Sequence, residues 1–414
     1  MVTVFEQLHT DGYLRSDKGA GTWVDERLPE RKLTYARTPT APPVHPGPLA
    51  GLRFPHPARP FRLFEPAIDL FPIREWARIA NRVVSRASAS ILVGRDRLGF
   101  EPLRKAIATY LGSSRGVACT PDQIFILSGV QQGLDLIART LLRPGQAAWI
   151  EAPGYFGALL AFQNTGAEVI PVPVDDEGMN PARARGRAKL AYITPAHQFP
   201  TGVTMSIGRR FEVLAWARQS ACYVVEDDYD SEYRFESPPV PALQSLDDSG
   251  RVIVVGSFNK LLFSALRIGY IVAPPSLVDP LAAQRFATDL NSFGIEQAIL
   301  AEFIESGGLG RHLRRMREVY GNRLATLKES CNKHLKGMLE LSPNQAGLFV
   351  PTFLHNSMSS QEAEEASLAH GVETMGLHRF ALKTQDRRGL LLGFGAFGEE
   401  ALREGVITLA RALA

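Results

Sequence analysis

The chain has little of what would mark it for the exterior, for a membrane or for a nucleic acid. Its 414 residues hold three cysteines, Cys119, Cys222 and Cys331, with no CxxC pair and no partner histidine at metal spacing. They read as reduced thiols of a cytoplasmic protein, which excludes a disulfide framework and a metal site of the usual cysteine spacing. The first residues, MVTVFEQLHTDGYL, lack the basic stretch and apolar core of a secretory signal. No apolar run approaches the roughly 20 residues needed to cross a bilayer. The formal net charge of +3 is too small to draw the chain to nucleic acid or lipid by electrostatics alone.

What is present suits a globular protein. Hydrophobic residues make up 45% and charged residues 21%, and the length predicts two domains. Residues 1–28 form a small unit of their own, with an amphipathic helix end in TVFEQLHTDGYL and a strand, turn and strand in YLRSDKGAGTWVDE. Residues 29–72 carry prolines every few positions and predict an extended linker. From residue 73 to 294, apolar strands such as QIFILS, AAWIE, LAYIT, CYVVED and RVIVVG alternate with helical segments. That alternation predicts an α/β domain with a mainly parallel sheet covered on both faces. Residues 295–414 are helix-rich and end in two strand-like runs and a helix, predicting a smaller α+β domain.

Ligands of such a sheet gather at the carboxyl ends of its strands. Three ends carry polar residues here. After QIFIL comes SGVQQG, Ser128–Gly133, which suits phosphate at a helix N-terminus and suits equally a tight strand-to-helix turn. After CYVV comes EDDYDSEY, with Glu226, Asp227, Asp228 and Asp230; a solvated acidic loop or a magnesium site is the plain alternative. After RVIVVG comes GSFNKLLFSALRIGY, with Ser257, Lys260 and Arg267. A lysine beside a core is costly unless its charge is used or removed. One ligand would engage all three ends: arginine, hydroxyl and amides grip phosphate, lysine condenses with an aldehyde, and a carboxylate pairs with a pyridine nitrogen. Pyridoxal 5′-phosphate carries all three groups.

These blocks resemble the fold-type I aminotransferase superfamily, and within it the MocR-type branch of transcriptional regulators. The likeness runs over essentially the whole chain, through GFEPLRKAIATYL, EAPGYFGA, TPAHQFPTGVTMSIGRR, VVEDDYDSEYRF and GRHLRRMREVYGNR. It implies a pyridoxal-phosphate-dependent transferase fold, with large and small domains and a homodimer with sites near the subunit interface. It implies Lys260 as the Schiff-base lysine and general base, Asp227 as partner of the pyridine nitrogen, and Tyr229 near the ring hydroxyl. Tyr155 would stack on the ring, His197 would lie near it, and Ser128, Gly129, Val130, Ser257 and Arg267 would cradle the phosphate.

The pattern also departs from the branch. Asn259 stands where it usually has Ser, Ser264 where it has Pro, and Phe199 where ordinary aminotransferases have Asn. Many aminotransferases hold the substrate carboxylate with an arginine that aligns here with Leu391; Arg387 and Arg388 lie a few residues earlier and are the candidates, or are exposed loop arginines. The substrate or effector expected is an amino acid or another primary amine. Residues 1–25 resemble only the end of a GntR-type winged helix-turn-helix. Specific DNA binding is therefore expected only with the preceding helices, because base reading uses the start of the recognition helix. No metal is expected.

Overall fold

The structure is a computed structural model and describes residues 2–26, 57–94, 96–235, 240–289, 294–343, 346–382 and 387–414. The chain divides into two compact units, Met1–His56 and Pro57–Ala414. In the first, a helix over Val2–Thr10 is followed by an antiparallel hairpin, β1 (Leu14–Asp17) and β2 (Gly21–Val24), with Leu14 opposite Val24. The helix, strand, turn and strand of the sequence reading are therefore present.

The second unit is built on an eight-stranded sheet. Its strands are β3 (Ile124–Leu127), β4 (Ala147–Ala152), β5 (Glu168–Asp175), β6 (Gly178–Met179), β7 (Leu190–Ile193), β8 (Tyr223–Asp228), β9 (Val252–Ser257) and β10 (Gly269–Val272), in the spatial order β3-β10-β9-β8-β7-β4-β5-β6. The run β9-β8-β7-β4-β5 is parallel, whereas β10 runs antiparallel to both its neighbours. Alternate residues of one strand enter different cores: Val224, Val252 and Val254 face one, Val225, Ile253 and Val255 the other. Two buried faces explain why these strands are continuous apolar runs in the sequence.

The C-terminal part carries a four-stranded antiparallel sheet, β11 (Leu339–Leu341), β12 (Phe349–Leu354), β13 (Met375–Gly376) and β14 (Gly389–Gly393), in the order β11-β12-β14-β13. The helices Gly308–His334 and Glu399–Leu413 bury their apolar stripes in the same core.

One boundary needs correcting. Residues 29–56 of the expected linker lie outside the described residues, but residues 57–72 are packed rather than extended and free. Phe61, Leu63, Ala67 and Phe71 are buried, Phe61 bridges to Gly393, and Arg62 Nη2 pairs with Glu373 at 2.7 Å. The prolines keep α-helix out, leaving one 3-10 turn at Ile68–Leu70, yet an irregular segment can still bury its side chains, at about 1.5–3 kcal/mol for each large apolar one.

Candidate active site

The carboxyl ends of β3, β4, β7, β8 and β9 open on the same side of the sheet, and the polar residues singled out above sit there. Beyond β9, Leu261 N–H and Leu262 N–H both donate to Phe258 O, and Asn259 N–H donates to Ser257 Oγ at 3.1 Å. This tight turn presents Lys260. Its Nζ stands 3.9 Å from the centroid of the Tyr229 ring and 5.0 Å from that of Phe64. It forms no hydrogen bond or ion pair among the described residues. Burial lowers the Lys260 pKa, while Asp230 and Asp227 nearby act to raise it.

The four acids after CYVV are not a solvated loop, because all are buried and each has its own task. Glu226 accepts the N–H groups of Leu243 and Gln244, Asp228 pairs with Arg115 Nε at 2.7 Å, and Asp230 meets His197 Nδ1 at 3.0 Å. Asp227 points to the strand ends. Its Oδ2 accepts from Tyr192 O–H at 2.6 Å, and its Oδ1 has no partner among the described residues. Burial pushes this carboxyl up to about 6, against the lowering effects of the Tyr192 hydrogen bond and of Lys260.

Arg267 lies across the start of the helix Val130–Leu141. It takes a left-handed conformation, φ 53, and donates from Nη2 to Ser128 O at 3.1 Å. Gly129 is needed there: its φ is +99, and a Cβ would come within 3.2 Å of Arg267 Nη2. The Ser128 N–H is held by Gln132 Oε1 at 2.6 Å. Tyr155 caps the helix Phe156–Gln163, with its ring centroid 6.2 Å from that of Tyr192, and burial pushes its hydroxyl up to about 12. Tyr229 O–H donates to His197 O at 2.8 Å, and the His197 and Tyr229 rings stack with centroids 5.7 Å apart. From the small sheet's side, Gly347 presses on the His197–Asp230 pair; with φ 78, its Cβ would lie 2.2 Å from His197 Cε1.

Among the described residues the two candidate substrate arginines make no hydrogen bond or ion pair with Lys260 or Asp227. Arg388 Nη1 donates to Met358 O at 3.2 Å. Arg387 lies over the Phe353 ring at 5.1 Å and borders a cavity of about 640 Å³ shared with Asp176, Arg183 and Arg185. Leu391 is buried in an apolar cluster with Phe199, Tyr229, Phe349 and Phe380. Among the described residues no group of three or more His, Cys, Asp or Glu could hold a metal ion.

Three site neighbours escaped the sequence reading. Tyr192 and Glu151 had a usable signal, since each is a polar residue in an otherwise apolar buried strand. Glu151 Oε2 accepts from Thr194 Oγ1 at 2.6 Å and from Gln198 Nε2 at 3.1 Å, and burial pushes its carboxyl up to about 7. Phe64 carried no such signal, lying inside the supposed linker.

The parallel sheet with lysine, carboxylate and arginine at its strand ends has the arrangement of a pyridoxal-phosphate-dependent transferase. Residues 67–383 match the family model for aminotransferase class I and II. The chain is 36% identical, over 99% of its length and 85% of the other, to the probable rhizopine catabolism regulatory protein MocR of Rhizobium meliloti. It is 30% identical to aromatic-amino-acid aminotransferase 1 of Thermococcus litoralis, over 84% of this chain and 86% of that one. It superposes with a TM-score of 0.77 on the solved multiple-substrate aminotransferase of Thermococcus profundus, at 31% identity over 84% of this chain and 89% of that one. With the solved α-aminoadipate aminotransferase of Thermus thermophilus, complexed with N-(5′-phosphopyridoxyl)-L-leucine, the TM-score is 0.78 at 28% identity, over 85% of this chain and 91% of that one. The chain belongs to the aminotransferase class I and II family, with regulators of the MocR kind among its relatives.

The cofactor is pyridoxal 5′-phosphate, and the residues present fit it. The unpartnered Asp227 Oδ1 suits a ring N–H. The Cβ-free space at Gly129, beside the Arg267 guanidinium, suits a phosphate at a helix start. Lys260 Nζ is left without a counter-ion at bonding distance.

Proposed function

We propose that the chain acts on a primary amine through a cofactor held covalently by Lys260. The observation that carries this reading is the placing of an unpaired Lys260 Nζ over the Tyr229 ring beside Asp227, whose Oδ1 has no partner. When bound, the cofactor supplies an aldehyde carbon that exchanges one amine for another, and a ring that withdraws electrons. Arg267, Ser257, Ser128 and the first amides of the helix Val130–Leu141 anchor its phosphate. Asp227, ionised above about pH 6, keeps a proton on the ring nitrogen. Tyr229 and Tyr155 fix the ring's position, and His197, held by Asp230, fixes Tyr229. Lys260 Nζ would hold the cofactor's aldehyde carbon and, as a free amine, would be the base placed to take and return a proton at the substrate's amine-bearing carbon; burial favours its neutral, basic form.

Purified protein with cofactor should absorb in the visible, bleach with borohydride and lose that band in Lys260→Ala. A chain that binds no cofactor, or binds it identically without Lys260, refutes the reading.

A second reading draws on the comparison: the regulator relative matches 99% of this chain, including residues outside the aminotransferase match. In that reading the same site senses an amine or the cofactor, and DNA binding needs a complete winged helix-turn-helix. Release of pyridoxamine phosphate on adding amine separates turnover from sensing. We further infer a homodimer, which sedimentation would test, residing in the cytoplasm, which cell fractionation would test.

A further inference from the structure

We propose that the amine received at Lys260 carries no carboxylate on its reacting carbon, and is an arylalkyl or alkyl amine taken up as its ammonium. The inference deepens the function proposed above and rests on it. Lys260 Nζ already lies over two rings, Tyr229 and Phe64. Behind them Phe199 packs against Phe64, Tyr229, Phe349 and Phe380, with centroids 5.6, 6.2, 5.6 and 4.8 Å away. Ring faces are electron-rich, so they attract an ammonium and oppose a carboxylate.

The small sheet closes the site from the other side, and its register decides what it shows. Leu391 pairs with Pro351 on β12 and with Met375 on β13. Alternate residues share a face, so this face presents Phe349, Phe353, Met375 and Leu391, which pack into one apolar cluster with Tyr229 and Phe199. Among the described residues Arg388 is engaged by Met358 O and Arg267 by Ser128 O, while Arg387 lies over the Phe353 ring at the edge of this face. The charged groups that act on Lys260 are two carboxylates, Asp230 and Asp227. A substrate carboxylate here would be stripped of water among aromatic and acidic side chains, and among the described residues no cation other than Lys260 lies over the Tyr229, Phe64 or Phe199 rings to meet it.

The test titrates the cofactor-loaded chain with matched pairs, following visible absorbance and heat: 2-phenylethylamine against phenylalanine, tyramine against tyrosine, and 3-methylbutylamine against leucine. At least one amine should bind about tenfold or more tightly than its carboxylated twin, a difference of about 1.4 kcal/mol. Phe64→Leu should weaken that amine by about two- to fivefold. Amino acids that bind as well as or better than their amines in every pair overturn the proposal, and so does silence from all six compounds. Failure of the underlying reading shows earlier and differently, as a chain that takes up no cofactor or takes it up without Lys260.

Discussion

Tyr192→Phe removes one oxygen atom from the floor of the site. That hydroxyl donates at 2.6 Å to Asp227 Oδ2, both side chains are buried, and Asp227 Oδ1 has no other partner to take over. Burial lifts Asp227 from 3.8 to about 6, and the Tyr192 hydrogen bond is the largest influence holding it down. A hydrogen bond to a buried ionised group is worth about 1.5–3 kcal/mol, which is roughly one to two further pH units on this carboxyl. The sign follows from proton binding. An acid raised by folding keeps a proton that the unfolded chain has already released, so Asp227 costs stability as pH rises above 3.8, and the cost is complete above its folded pKa. In Tyr192→Phe that cost continues to grow above pH 6. Urea unfolding of the cofactor-free chain at about pH 8.5 should therefore show a loss of about 1.5–3 kcal/mol, falling to about 1 kcal/mol or less near pH 5, where Asp227 is protonated in both proteins. A loss equal at both pH values, or larger at the acid one, would mean that the Tyr192 hydroxyl does not hold the Asp227 pKa down.

Three further outcomes follow from the same geometry. Glu151, raised by burial to about 7, costs stability as pH climbs from its ordinary 4.5 through 7. Denaturation curves should therefore move in favour of Glu151→Gln by up to about 3 kcal/mol between pH 5 and pH 8. Gly129→Ala forces a Cβ toward Arg267 Nη2 at a φ of +99; it should cost about 1–3 kcal/mol and weaken cofactor uptake, read by fluorescence titration. Phe61→Ala should cost about 3–5 kcal/mol in urea unfolding, because Phe61 is fully buried and is not part of a free linker.

Much of the sheet was legible because burial on both faces writes each parallel strand as an unbroken apolar run, and the polar residue after each run marks the strand end. Lys260, Asp227, Arg267 and Gly129 stand out in the sequence for that reason, and the structure gathers them. Residues 57–72 misled because proline density argues against α-helix and says nothing of burial; Phe61 and Phe64 are held there by contacts with residues more than a hundred positions away. Tyr192 and Glu151 could have been flagged as polar groups on buried strands, but their partners, Asp227 and Thr194, are set by which strands pair. The place of the candidate arginines was hidden for a related reason. Their distance from Lys260 depends on the register of β14 against β12, and that register turns Leu391 toward the site.

Everything proposed for the site depends on Lys260 holding the cofactor covalently beside Asp227. Borohydride reduction of the cofactor-loaded chain, followed by peptide mass spectrometry, tests it most directly. One reduced pyridoxyl-phosphate adduct should appear on the peptide containing Lys260, and none in Lys260→Ala. An adduct on another lysine, or no adduct from a chain that binds the cofactor, would contradict it.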